Sequence, residues 1–184
     1  MKVHATGLPE ILLLEPAVFA DERGFFTETY NRQTFAQAIG SDPAFVQDNR
    51  SGSAYGVLRG LHYQVRRTQG KLIQVLSGRV YSVGVDIRRS SPRYGRWTGV
   101  ELSAQARHQL WMPPGFAHGF LVLSEHAEVF YKTTDFYDPA SERCLLWNDP
   151  DLGIGWPAIR HGAAPRLSAK DAAGQRLRDA ETLP

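Results

Sequence analysis

From Ile11 to Asp149 the chain runs in short apolar segments broken by turn signals: "ILLLEP", "GFFTETY", "FVQDNRS", "GVLRGLHYQ", "KLIQVLSG" and "RVYSVGVDIR", then "WTGVELS", "HQLWMPPG", "AHGFLVLS", "AEVFYKTTDFY" and "ERCLLWND". In "RVYSVGVDI", Tyr81, Val83, Val85 and Ile87 alternate with small or polar residues. That two-residue period predicts a half-buried strand. The "LSGRV" and "DIRRSSPRYGRW" connections are rich in turn formers. About ten strands with no helix between them predict a sandwich or jelly roll rather than an α/β sheet. Two helices are expected outside this frame. Asn31 is placed to cap "RQTFAQAI", with Phe35 and Ile39 on one face and Gly40 as the stop. Ser168 precedes "AKDAAGQRLRDAE", and Ser168-x-x-Asp171 has the form of a capping box. No repeat or linker divides the chain, so residues 1–184 are expected to form a single domain.

Composition narrows the class without deciding it. The chain has 184 residues, 42% hydrophobic and 22% charged, which suits one globular core. A net charge of +2 with dispersed arginines argues against nucleic acid and favours a small anionic ligand. One cysteine, Cys144, permits no intramolecular disulfide and favours a reducing compartment. The N-terminus lacks a long apolar run, and Ile11–Leu14 is too short to span a bilayer. A cytoplasmic protein with no membrane partner is expected.

Chemistry first shows in "GVLRGLHYQ", where Arg59 and His62 interrupt a strand otherwise suited to burial. Burying such groups costs free energy unless they have work or partners. A second station is "WMPPGFAHGF", a Pro113-x-Gly115-x-x-His118 corner leading into a strand. With "GLHYQ" and "LSGRV", this resembles the two-motif layout of the cupin superfamily, a small jelly roll. Metal-binding cupins carry H-x-H and a later glutamate in the first motif. Here the second histidine is replaced by Gln64, no glutamate precedes the Gly78 turn, and Lys71 is the nearby functional group. An ammonium has no lone pair for a metal, so neither a metal site nor a cofactor is expected. Strand parity places His62 with Gly60 and Gln64, facing the barrel interior. An imidazole there serves as general base, Lys71 as oxyanion clamp and Tyr131 as proton donor. Proton abstraction beside a carbonyl needs those three.

"RGLHYQ", "QGKLIQV", "SSPRYGRW", "GVELSA", "QLWMPPGFAHGFLVLSE", "YKTTDFY" and "WNDPDLGIGWP" together resemble the dTDP-4-dehydrorhamnose 3,5-epimerase family. The resemblance runs from "DERGFFTETY" to "LSAKDAA". It implies a metal-free, all-β, cupin-like jelly roll with short flanking helices, working as a homodimer. The implied reaction inverts C3 and C5 of dTDP-4-keto-6-deoxy-D-glucose through enolates, giving dTDP-4-keto-L-rhamnose. The resemblance assigns His62 as base, Asp171 as its dyad partner, Lys71 to the enolate oxygen and Tyr131 to proton return. It gives Arg59 and Arg23 to the pyrophosphate, Glu28, Gln47 and Asn49 to the nucleotide end, and His118, Glu142 and Lys170 to further ligand contacts. Arg23 and Glu28 would serve the partner's site if the N-terminal strand completes it. One conflict stands: residues 59 and 62 differ by an odd number, so an ideal strand sends them to opposite faces. Either Gly60 marks a bulge or Arg59 acts from an edge. The rival readings are an epimerase acting at C3 or C5 alone, a ketoisomerase on a related dTDP-4-keto sugar, a metal cupin, and a silent sugar-nucleotide binder.

Overall fold

The computed structural model describes Met1–Pro184. Thirteen strands form. They are β1 (Lys2–Ala5), β2 (Leu12–Glu15), β3 (Val18–Asp21), β4 (Gly24–Thr27), β5 (Gln47–Ala54), β6 (Leu58–Gln64), β7 (Lys71–Ser77), β8 (Arg79–Asp86), β9 (Trp97–Ser103), β10 (Gln109–Met112), β11 (Phe116–Val122), β12 (His126–Thr133) and β13 (Glu142–Cys144). Two antiparallel sheets face each other. One has the order β1-β2-β10-β7-β12-β5, the other β13-β6-β11-β8-β9, and β3–β4 is a separate hairpin. This is the cupin-like jelly roll.

The main core lies between the sheets, where Ile73, Val75, Leu110, Met112 and Val129 of one meet Val80, Leu102, Phe116, Phe120 and Val122 of the other. Each sheet also has a covered outer face. Helix α1 (Arg32–Ile39) lays Phe35 on Leu14, Leu72 and Trp111 of the first sheet. The segment after β13 lays Leu152, Leu177 and Ala180 over Leu61, Val83, Val85 and Ile87 of the second.

That second cover changes the reading of β8. Its polar and small positions were expected to face water, yet Ser82 is 1% exposed and Asp86 0%. Tyr81, Val83, Val85 and Ile87 pack under the C-terminal segment, while Val80 joins the core between the sheets. The strand is buried on both faces, and its alternation separates two interiors rather than core from solvent.

The N-terminal helix forms as expected. Asn31 accepts from the backbone N–H groups of Gln33 and Thr34, and Gly40 closes the helix at φ 71°. The C-terminal helix does not run on. Helix α2 (Ala169–Ala172) is four residues long, and its chain then turns to pair. Gln175 donates its N–H to the Cys144 carbonyl and accepts from Leu146 N–H, so sheet bonding takes over from helical bonding. At Gly174 a Cβ would lie 2.7 Å from the Leu145 carbonyl, which fixes glycine at that crossing.

The parity conflict in β6 is resolved by a bulge. His118 stands opposite His62 and Phe120 opposite Arg59, so two steps along β11 match three along β6. The extra residue lies between Arg59 and His62, next to Gly60 at φ 109°. A Cβ on Gly60 would come within 2.5 Å of the His118 carbonyl and 2.6 Å of Gly119 Cα. Gly60→Ala is therefore expected to destabilise the fold by ~2 kcal/mol or more, from left-handed strain and backbone overlap together. Urea unfolding of the two proteins gives the difference; equal midpoints would show that β11 yields freely at this crossing.

Candidate active site

The bulge decides what the cleft contains. Arg59 and His62 line a cleft of about 220 Å³ with Ser51, Gln64, Gln69, Lys71, His118, Phe120, Tyr131, Tyr137 and Glu142. Strands β6, β11 and β13 form one wall, and β5, β7 and β12 form the other. His62 therefore comes from one sheet, while Lys71 and Tyr131 come from the sheet facing it.

The His62 ring is held from behind. Its Nε2 is 2.6 Å from Asp171 Oδ1, a contact that spans 109 residues of sequence. Asp171 is itself fixed on both oxygens: Gly60 N–H donates to Oδ1 at 3.2 Å, and the Ser168 hydroxyl donates to Oδ2 at 2.7 Å. Ser168 Oγ also caps α2 by accepting from Asp171 N–H at 3.1 Å. The cap belongs to Ser168 Oγ, while the Asp171 carboxylate takes that hydroxyl's hydrogen and the His62 contact instead of the Ser168 N–H of a capping box. Burial raises its pKa, but the hydrogen bonds from His62 and Ser168, the His62 charge and the Gly60 N–H outweigh burial and hold it at about 2. An ionised Asp171 can only accept, so Nε2 of His62 carries the hydrogen of this contact and Nδ1 is the ring nitrogen left outside it.

Lys71 is 8% exposed, and its Nζ has one long hydrogen bond, 3.5 Å to the His62 carbonyl. Burial lowers its pKa to about 8, and the Glu142 charge opposes that fall. Tyr131 makes no side-chain hydrogen bond; its pKa is raised by burial and by Glu142, against Arg59, so the phenol keeps its proton at neutral pH. Burial and the charges of Lys71 and His62 push His118 well below the ordinary histidine value, so that ring is neutral. The cleft thus holds an imidazole bonded to a carboxylate, a neutral imidazole, a phenol and a buried lysine.

The remaining expected residues divide by position. Arg59, though exposed, is tethered to β5, with Nε donating to Ser53 Oγ at 2.9 Å and Nη2 to the Gly52 carbonyl at 3.3 Å. Glu142 accepts from Tyr137 Oη at 2.6 Å and is ion-paired with Lys170. Against burial, these two hydrogen bonds keep its pKa low. Gln47 and Asn49 share a 2.8 Å hydrogen bond on β5, where Asn49 stands opposite Tyr131. Arg23 and Glu28 are away from this cleft. Arg23 pairs with Asp21 at 2.5 Å in the β3–β4 hairpin, and Glu28 accepts from Asn31 at 3.2 Å.

Several lining residues had escaped the sequence reading. Tyr137 is 53% exposed at the cleft, and its N–H donates to Gln47 Oε1 at 3.0 Å. Its signal was an aromatic residue beside a strand end with no core to join. Ser51 carries a buried hydroxyl with no partner, a group left for a ligand. Gln69 and Phe120 had no distinguishing signal, being a loop amide and one of many core aromatics.

Gln64 shows what replaced the metal-ligand pattern. Its amide nitrogen donates to the carbonyls of Arg67 and Phe136 at 2.8 and 3.2 Å, and its oxygen accepts from Asp138 N–H at 2.9 Å. Both ends are spent tying loops together. The one cluster with metal-ligand chemistry, His62, Cys144 and Asp171, has its donor atoms within 4.8 Å. Two of these are consumed by their mutual hydrogen bond, and burial pushes the Cys144 thiol up to about 12, far from a thiolate. These donors do not fit a metal.

A cupin-like jelly roll whose cleft opposes a histidine–aspartate dyad to a tyrosine, with a lysine alongside, defines an acid–base isomerase. The family model described as dTDP-4-dehydrorhamnose 3,5-epimerase matches residues 5–179. The chain belongs to that family. It is 54% identical to dTDP-4-dehydrorhamnose 3,5-epimerase of Pseudomonas aeruginosa over 184 residues, covering 100% of both chains. A crystal structure of the Legionella pneumophila dTDP-6-deoxy-D-glucose-3,5-epimerase in complex with dTDP-4-keto-L-rhamnose superposes with a TM-score of 0.94 at 47% identity, over 98% of this chain and 94% of that one. A 3'-monoepimerase of Streptomyces bikiniensis, in complex with dTDP-quinovose, gives a TM-score of 0.87 at 33% identity, over 95% and 87%.

The buried amine provides a direct check. In protein carrying labelled lysine, NMR titration should show Lys71 deprotonating near pH 8. Glu142→Gln should lower that value, because the lost carboxylate favoured the ammonium. A Lys71 that titrates with the surface lysines would mean that water reaches its amine freely.

Proposed function

We propose that this enzyme inverts C3 and C5 of dTDP-4-keto-6-deoxy-D-glucose, giving dTDP-4-keto-L-rhamnose, through enolates and without a cofactor. The observation that carries the reading is the opposition of His62 and Tyr131 across one cleft from facing sheets. The C4 ketone acidifies the hydrogens on both neighbouring carbons. His62 Nδ1 removes a proton, and the resulting imidazolium is stabilised by Asp171 through Nε2–H. Negative charge moves to the C4 oxygen, which the Lys71 ammonium receives. Protonation from the other wall, by the Tyr131 phenol and particularly at C5, inverts the centre rather than restoring it. Tyr131 then regains a proton from solvent and His62 gives its own up to solvent, which resets the pair before the second carbon reacts.

Arg59 grips the diphosphate, since guanidinium geometry suits two phosphate oxygens. Gln47, Asn49 and the exposed ring of Tyr137 form the nucleotide end, the tyrosine offering a flat apolar face for stacking, while Glu142 and Lys170 supply further ligand contacts. Arg23 and Glu28, which stand off this chain's own cleft, serve the cleft of a partner in a homodimer. The chain acts as one domain on a dTDP-sugar, with neither nucleic acid nor a membrane as partner. No helix is long and apolar enough to cross a membrane.

Incubation with dTDP-4-keto-6-deoxy-D-glucose in deuterium oxide, followed by proton NMR, tests the reaction. Deuterium should enter both C3 and C5, unaffected by EDTA, and His62→Ala should lower the rate by about 10²–10⁴-fold. Tyr131→Phe should retain exchange at C3 while losing inversion at C5 by a similar factor. Exchange at C3 alone in the wild type would make this a mono-epimerase; exchange at neither carbon would refute enzymatic action on this sugar.

The pH profile carries a sign. Lys71 clamps the oxyanion only as ammonium, so its contribution is full well below about pH 8 and is lost as pH rises through that value. kcat/KM, which reports the free enzyme, should fall on the alkaline side with an apparent pKa near 8. Lys71→Arg should move that limb to higher pH. A limb unchanged in the variant would assign it to another group.

A further inference from the structure

Strand β8 sets one polar side chain against a histidine of the cleft, and no part of the mechanism above uses it. Ser82 Oγ lies 3.0 Å from Nε2 of His118. Neither side chain has another hydrogen-bonding partner, and Ser82 is 1% exposed. His118 Nδ1 is not among the buried nitrogens left unpaired; it opens on the cleft that the ring lines.

Two proton arrangements fit the 3.0 Å contact. In one, His118 Nε2–H donates to Ser82, which leaves the serine hydrogen buried with no acceptor and turns a lone pair to the cleft. In the other, the Ser82 hydroxyl donates to Nε2, and the ring's proton sits on Nδ1 facing the cleft. Only the second satisfies the hydroxyl. It also faces the cleft with a donor where the proposed reaction develops negative charge. The ring's neutrality, imposed by burial beside Lys71 and His62, keeps that donor from surrendering its proton.

We propose that Ser82 is a positioning residue that fixes His118 as the Nδ1–H tautomer, so that the ring donates a hydrogen bond to the enolate oxygen beside Lys71. The proposal rests on the epimerase reading for its chemistry, and on the Ser82–His118 geometry for the tautomer. The serine touches no substrate; it acts through the ring.

The test pairs spectroscopy with kinetics. In protein labelled with ¹⁵N-histidine, long-range proton–nitrogen correlations show which ring nitrogen of His118 carries the proton; His118→Asn identifies the signals. Wild type should show Nδ1–H. Ser82→Ala should shift the ring toward Nε2–H and lower kcat about 10–100-fold with little change in KM, somewhat less than removal of a whole oxyanion donor. Ser82→Thr, which keeps the hydroxyl, should restore both. Nε2–H in wild type, or an unchanged tautomer in Ser82→Ala, would overturn the proposal, as would a changed tautomer with unchanged kcat. Should Ser82→Ala fail to fold, the wild-type and Ser82→Thr spectra still decide the tautomer. If the wild type exchanges neither sugar hydrogen, the epimerase reading fails on its own, while the spectra continue to judge Ser82.

Discussion

The Asp171 carboxylate is the junction on which the site depends. One of its oxygens receives the His62 ring and the Gly60 N–H, and the other receives the Ser168 hydroxyl. The bulge in β6 removes Gly60 from the regular ladder, and a buried N–H without an acceptor is costly. Asp171 supplies that acceptor. The same charge orients the imidazole, so the device that brings Arg59 and His62 to one face also holds the base. Replacing the carboxylate would leave the ring, the bulge and the helix start each short of a partner.

Much of this was legible in the chain. Eleven expected strand segments appear where the apolar runs placed them, because period and turn chemistry are local properties. Asn31 and Gly40 bound α1 for equally local reasons. The odd spacing of Arg59 and His62 around Gly60 even announced an irregularity, though not which of two remedies the fold had adopted. What escaped depended on distant contacts. The segment after Ala172 has helix-forming composition, yet the free edge at Cys144 and Leu146 draws Gln175 into sheet pairing. Ser82 read as a solvent-facing position, because nothing within β8 reveals that its other face is closed by the opposite sheet. Strands β1 and β3 are four residues long and exposed throughout, and owe their form to β2 and β4 beside them.

The site also shows how a jelly roll built around metal-ligand positions supports a different chemistry. Where a second histidine would stand, Gln64 ties two loops together; where a ligand carboxylate would lie, Lys71 brings a cation. In the proposed reaction the positions survive while the charge is inverted, from a basin that attracts cations to one that receives an anion. Both histidines remain, with unequal protonation demands: His62 is coupled to a carboxylate, whereas His118 is closed in beside positive groups. Two identical side chains thereby take different tasks, through their neighbours alone.

The long loop closed by the dyad has a temporal consequence. A chain made from its N-terminus carries His62 and most of the jelly roll well before Asp171, which follows 109 residues later. Until that carboxylate docks, β6 has its bulge without the group that satisfies it, and the imidazole has no fixed direction. The His62–Asp171 arrangement is thus acquired only after the strand that carries the histidine, as a property of the segment that follows β13 rather than of the earlier sheets.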